Sequence, residues 1–243
     1  MKKTTICILH GWSLEPDLKK RWQSLINLLQ KEGFQVKYLS LPGFDQPISK
    51  PLTLDQYQEH VLHQIKNETS IILLGHSFGG QLATRVASSR PKNLSALILV
   101  APSGIIDRSL TKSIKRTIFI LLAKVGKIVV NNLPSFIQQK SKKLLYLLAR
   151  EKDYLNAPNY LKKTMSNILA DEITDDLPKI NVPTLIIWGE KDRFTPIKNA
   201  TIFATGIHKA QLKTISNERH RPYFTQPKLV ASHIIHFLSK HVF

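Results

Sequence analysis

At 243 residues the chain suits one globular domain, with or without an elaborate insertion, and is short for two independent cores. Its 42% apolar and 21% charged residues exclude a mainly disordered chain; a lone cysteine, Cys7, excludes a disulfide scaffold; no apolar run approaches the roughly 18 residues of a bilayer span. The net charge of +18 is unevenly spread, since residues 104–170 hold thirteen Lys and Arg against three Asp and Glu. A basic face of that kind attracts an anionic partner, although a chain with 26 Lys and 26 Ile also shows plain compositional bias. Nucleic acid is not expected, because no aromatic interleaving or recognised motif accompanies the charge. The apolar stretch Ile6-Cys7-Ile8-Leu9 is too short for a signal-peptide core, so the expected compartment is the cytoplasm.

In chain order, residues 4–9 read as a buried strand that runs into His10-Gly11-Trp12. Over 18–31 the apolar positions Leu18, Trp22, Leu25, Ile26 and Leu29 recur at three and four residues, which predicts an amphipathic helix stopped by Gly33. A strand over 34–41 broken by Pro42-Gly43 follows, then a helix over 53–66. Residues 71–74 are a continuous apolar run entering Gly75-His76-Ser77-Phe78-Gly79-Gly80, with a helix over 81–88 and a strand over 94–100 behind it. From 105 to 176 strand signals stop and helical stretches at 112–130 and 135–150 take over. Strand, helix, strand and helix resume at 184–188, 196–204, 211–215 and 227–240. This alternation predicts an α/β fold: a mostly parallel sheet of about six strands with helices on both faces. The expected core is 1–104 with 177–243, and the helical range 105–176 is inserted into it.

Gly75-x-Ser77-x-Gly79 lies between an apolar strand and a helix, the context in which a sharp turn exposes a nucleophilic hydroxyl. Serine needs a base to take its proton. Of nine histidines, His220 stands apart, in a loop after the last strand and before the last helix, at the strand ends where open parallel sheets bind ligands. His76 is next to the serine, but its side chain is expected to project away from the hydroxyl. His60, His63, His233, His236 and His241 fall on helices and read as surface or packing residues. The base needs a carboxylate on its other ring nitrogen. Trp188-Gly189-Glu190-Lys191-Asp192 supplies Asp192, preferred over Glu190 because it lies nearer the loop tip; Asp107 is a more distant candidate. The backbone N–H groups of Phe78 and Trp12 are the candidate oxyanion donors.

Taken in order, His10-Gly11-Trp12, Leu41-Pro42-Gly43-Phe44, Gly75-His76-Ser77-Phe78-Gly79-Gly80, Trp188-Gly189-Glu190-Lys191-Asp192, and His220 with Pro227 resemble the α/β-hydrolase fold superfamily over nearly the full chain. Within it the chain is similar to small bacterial carboxylesterases, including carrier-protein methyl esterases. The resemblance implies that 105–176 is a helical cap and that the family's first two antiparallel strands are missing. It implies a serine hydrolase acting on a small-molecule carboxylic ester or thioester through Ser77, His220 and Asp192, with no metal or organic cofactor. Ser77 stands where dehalogenases and epoxide hydrolases of this fold carry aspartate. Trp12, Phe78 and Arg219 are candidate substrate contacts; Arg219 and Asp45 depart from the usual pattern at their positions. Apolar runs at 118–122 and 144–148 offer surface for an acyl chain, and Lys112, Lys115, Arg116, Lys140, Lys142 and Lys143 suit an acidic acyl carrier protein or an anionic membrane. Acyl transfer, carbon–carbon bond hydrolysis, and ligand binding without turnover remain alternatives on the same residues.

Overall fold

The continuous apolar runs become six strands: β1 (Thr5–Leu9), β2 (Gln35–Tyr38), β3 (Ile71–His76), β4 (Leu94–Val100), β5 (Thr184–Gly189) and β6 (Ala210–Ile215). The structure is a computed structural model that describes residues 4–14, 17–106 and 157–242. The strands form one sheet in the order β2-β1-β3-β4-β5-β6, with every adjacent pair parallel. The apolar runs are unbroken because both faces are covered. Cys7, Leu9, Leu73, Leu99 and Trp188 enter one core layer, while Ile6, Ile8, Leu74, Ile98 and Ile187 enter the other.

The helices follow in turn: α1 (Leu18–Lys31), α2 (Leu54–Ile65), α3 (Phe78–Ser88), α4 (Asn159–Ala170), α5 (Lys198–Gly206), α6 (Pro222–Thr225) and α7 (Pro227–His241). α1 buries Trp22, Leu25, Ile26 and Leu29 in the layer that also holds Val230, Ile234 and Phe237 of α7. Each such side chain contributes about 1.5–3 kcal/mol. α2, α3 and α5 pack on the other face. Thr53 starts α2 with a capping box: its hydroxyl accepts from Gln56 N–H at 3.3 Å, and the Gln56 side chain accepts from Thr53 N–H at 3.0 Å.

Two boundaries differ from the sequence pattern by three residues, the others among the described residues by at most two. β2 has four residues rather than eight, because it is an edge strand and the chain turns off at Pro42-Gly43. α3 starts at Phe78 rather than Gln81, so two glycines of poor helix propensity lie within its first turn; their lack of a side chain lets the helix approach the sheet.

The chain divides into two compact units, Met1–Ile105 with Lys163–Phe243, and Ile106–Lys162. Of the second, all but residue 106 and residues 157–162 lie outside the described residues, as do the expected helices at 112–130 and 135–150 and the basic cluster on them. Residues from 163 onward group with the core unit. The exit and return of the chain are fastened together there. Ile173 N–H donates to Gly104 C=O at 3.0 Å. The buried Gln81 amide of α3 donates to Asp171 C=O at 2.7 Å and Ile168 C=O at 3.1 Å, and accepts from the Ser103 hydroxyl at 3.0 Å. Arg85, one turn further along α3, pairs with Asp171, Asp176 and Asp55. Among the described residues no helix is long and apolar enough to cross a membrane.

Candidate active site

Strand order reverses between β1 and β3, so their C-terminal ends open a crevice, the place where α/β sheets bind ligands. His10-Gly11-Trp12 follows β1 there, and Ser77 follows β3. Ser77 has φ 53° and ψ −118°, a strained conformation imposed by the reversal from strand into α3. The turn closes only with glycine at 75 and 79. A Cβ on Gly75 would lie 2.3 Å from Gly79 C=O, and one on Gly79 would lie 2.1 Å from Leu9 C=O. The β1 loop is equally close, since a Cβ on Gly11 would lie 3.2 Å from Ser77 Cβ. The N–H groups of Phe78, first residue of α3, and Trp12 therefore belong to segments beside Ser77.

Ser77 Oγ lies 3.0 Å from His220 Nε2, and His220 Nδ1 lies 2.7 Å from Asp192 Oδ2. Three residues from the ends of β3, β5 and β6 are thus hydrogen-bonded in a line. The Asp192 side chain is fully buried and that of His220 is 14% exposed, so their interaction is little screened by water. Asp192 Oδ1 accepts the N–H groups of Phe194 at 2.8 Å and Thr195 at 3.1 Å, and Oδ2 accepts the Thr195 hydroxyl at 2.8 Å. The carboxylate is fixed at both oxygens before the imidazole reaches it. Gly189 lets the two loops meet, because a Cβ there would sit 2.2 Å from Arg219 C=O.

The other candidates fall elsewhere. Glu190 is exposed and accepts from the Ser216 hydroxyl at 2.7 Å, and Asp107 lies outside the described residues. Arg219 is exposed, with its N–H on Glu218 Oε2 at 3.2 Å. Trp12 packs edge-on against Phe44 at 4.9 Å and Phe78 at 5.9 Å between ring centroids, and Tyr57 contacts Phe78 at 5.2 Å. Together they form an aromatic wall beside the serine. The Trp12 indole N–H is buried without a hydrogen-bond partner among the described residues. Asp45 lies 3.6 Å from His10 Nε2 and accepts Leu41 N–H at 3.2 Å. The His10 ring, chiefly, and that N–H hold its carboxyl below the usual range. This atypical residue supports the loop that carries Phe44.

Sequence reasoning missed Thr195 and the role of His76. Thr195 had a signal: Asp192 followed at two and three residues by Phe194 and Thr195 is the spacing at which an aspartate folds its own backbone around its carboxylate. His76 had none, because its partner is 144 residues away. Its Nε2–H donates to His220 C=O at 2.9 Å, and its ring lies 4.8 Å from that of His220 and 4.7 Å from that of Tyr223. Tyr223 in turn stacks on Trp22 at 3.8 Å. His76 thereby positions the loop that bears His220.

Burial, chiefly, and then the neighbouring His220 push the His76 pKa well below 6.5. A histidine with a depressed folded pKa takes up its proton first in the unfolded chain, so stability is complete above about pH 6.5 and falls as pH drops below it. For His76 that loss reaches up to about 1.4 kcal/mol per pH unit. Urea unfolding at pH 7.5, 6 and 5 should show this slope in the parent protein and a shallower one in His76→Asn. Parallel slopes would show that His76 titrates alike in both states.

The model of a family described as the alpha/beta hydrolase fold matches residues 4–227. The chain is 25% identical to the monoacylglycerol lipase ABHD6 of Homo sapiens, over 98% of this chain and 76% of the relative. It is also 25% identical to the pimeloyl-[acyl-carrier protein] methyl ester esterase of Proteus mirabilis, over 93% and 88%. Among solved structures, a thermophilic esterase from Thermogutta terrifontis superposes with a TM-score of 0.69 at 24% identity, covering 98% of this chain and 91% of the other. With a family match over nearly its whole length and a six-stranded parallel sheet flanked by helices, the chain belongs to the alpha/beta hydrolase fold family and is an enzyme of it.

Proposed function

We propose that the enzyme hydrolyses carboxylic esters or thioesters through an acyl-enzyme. The observation that carries this reading is the hydrogen-bonded line Ser77 Oγ, His220 Nε2, His220 Nδ1 and Asp192 Oδ2 at the crevice. His220 Nε2 accepts the Ser77 proton as Oγ attacks the substrate carbonyl, and the bond electrons move onto the carbonyl oxygen. The N–H groups of Phe78 and Trp12 hold that oxyanion at the start of α3, where the helix dipole favours negative charge. On collapse, His220 gives its proton to the departing alcohol or thiol. Water then attacks the acyl-enzyme with His220 as base, releasing the acid and restoring Ser77–OH. Asp192 keeps the proton on Nδ1 and balances the imidazolium. No metal takes part in these steps.

The names of the two relatives, a monoacylglycerol lipase and a carrier-protein methyl esterase, support an ester with an extended acyl part. The wall of Trp12, Phe44 and Phe78 offers that part an apolar neighbour. We assign the second compact unit, which lies within the helical range 105–176, the role of a cap. An acidic acyl carrier protein or an anionic membrane as partner of its Lys112–Lys143 cluster belongs to this reading.

The test is a series of p-nitrophenyl esters and matching thioesters of graded chain length, together with a fluorophosphonate probe. Turnover that rises with acyl length, and a phosphonyl adduct on the peptide containing Ser77, are expected. An adduct on another serine, or none in an enzyme that still turns over ester, would remove this assignment.

A further inference from the structure

The loops that carry Asp192 and His220 also carry a surface that the chemistry above does not use. They are bonded to each other, with Lys191 N–H on Glu218 C=O at 2.7 Å, and so present one continuous rim. Lys191, Arg193, Arg219 and Arg221 are all exposed on it. Among the described residues none of the four takes part in an ion pair. Besides Asp192, which holds His220, the rim's two acids are engaged: Glu190 by the Ser216 hydroxyl at 2.7 Å, and Glu218 by the Thr225 hydroxyl at 2.7 Å. Two large apolar rings stand among the cations. Phe194 is 71% exposed and Phe224 49% exposed, although most aromatic rings of the core unit are covered. Phe194 lies against His220 at 5.1 Å between ring centroids, and Phe224 sits four residues past it with the Arg21 guanidinium 6.0 Å from its ring.

From this juxtaposition we propose that the rim of the β5 and β6 loops is a docking surface for an anionic lipid bilayer. The cations supply attraction to negative headgroups, and the rings supply the apolar contact made at headgroup depth, where aromatic side chains favour the interface. The exposed rings decide between a bilayer and an acidic protein, since charge pairing alone leaves two phenylalanines in water without use. Docking here brings the crevice mouth to the lipid, so an ester passes to Ser77 without crossing bulk water. That consequence rests on the ester-hydrolase reading; the binding itself does not.

The experiment is co-sedimentation with vesicles of phosphatidylcholine mixed with phosphatidylglycerol, against phosphatidylcholine alone. Four forms are compared: the parent protein, Lys191→Glu/Arg193→Glu, Phe224→Ser, and Lys66→Glu/Lys92→Glu. The last makes the same charge change in loops that lead into β3 and β4, at the opposite end of the sheet. The parent protein should bind the mixed vesicles. The first double variant should lose about tenfold or more in partition, and Phe224→Ser should also weaken it several-fold. The opposite-end variant should stay within about twofold of the parent. Equal losses in both double variants would reduce the effect to net charge and overturn the proposal. A Phe224→Ser protein that binds as the parent does would overturn the apolar contact at headgroup depth, and with it the argument for a bilayer over an acidic protein. Turnover of a water-soluble ester, unchanged in all variants, shows that they are folded. Because partition is read without turnover, failure of the hydrolase assignment and failure of docking give different results.

Discussion

Ser77→Ala will lose ester turnover by about 10⁴- to 10⁶-fold in kcat, with KM for a soluble ester little changed, because no other hydroxyl is hydrogen-bonded to His220 Nε2 among the described residues. What remains is the uncatalysed attack of water, aided by the oxyanion donors and binding. Stability gives an independent reading of the same position. Ser77 holds φ 53° without glycine's freedom, a strain of about 1–3 kcal/mol, so Ser77→Gly should be as inactive as the alanine variant yet unfold at a higher denaturant concentration. Activity within about tenfold of the parent in Ser77→Ala would place the nucleophile elsewhere.

Asp192→Asn has the second largest expected effect, a fall of about 10⁴ in kcat. Two backbone N–H groups converge on Oδ1, so the amide oxygen of asparagine must take that place and its NH₂ must face His220 Nδ1 and the Thr195 hydroxyl. Two donors cannot share one bond, and His220 answers by carrying its proton on Nε2 instead. That nitrogen then meets Ser77 already protonated and cannot act as base. Glu190→Gln, which alters only the contact with Ser216, should retain activity within about twofold. A reversed ranking of the two variants would assign the carboxylate role to Glu190.

The fold was legible wherever burial left an unbroken signature. The runs 71–74 and 94–100 were readable as strands because every position on them except Ser95 is buried, and the bounds of α1 followed from the spacing of Trp22, Leu25, Ile26 and Leu29. The glycines around Ser77 were readable because their cause is local: strand, turn and helix touch within five residues. Edge and end effects were not legible. β2 shortens because one side of it has no partner strand, and α6 is a single turn set by the Trp22–Tyr223 stack. The site divides along the same line. Strand-end position alone pointed to Asp192 and His220, whereas the grip of His76 on the His220 carbonyl needs a neighbour that only folding brings close.

The fastening of Gly104 to Ile173, with Gln81 bound to Ser103, Ile168 and Asp171, has an evolutionary reading. Departure and re-entry share one doorway, so the stretch between them can lengthen, shrink or be exchanged for another lineage's version without re-spacing the strands before and after it. Ring-closure entropy scarcely resists this, since doubling such a stretch costs only about 0.6 kcal/mol more. Splicing in the corresponding stretch of a distant family member would therefore leave the frame standing. The frame and its guest are free to diversify at different speeds.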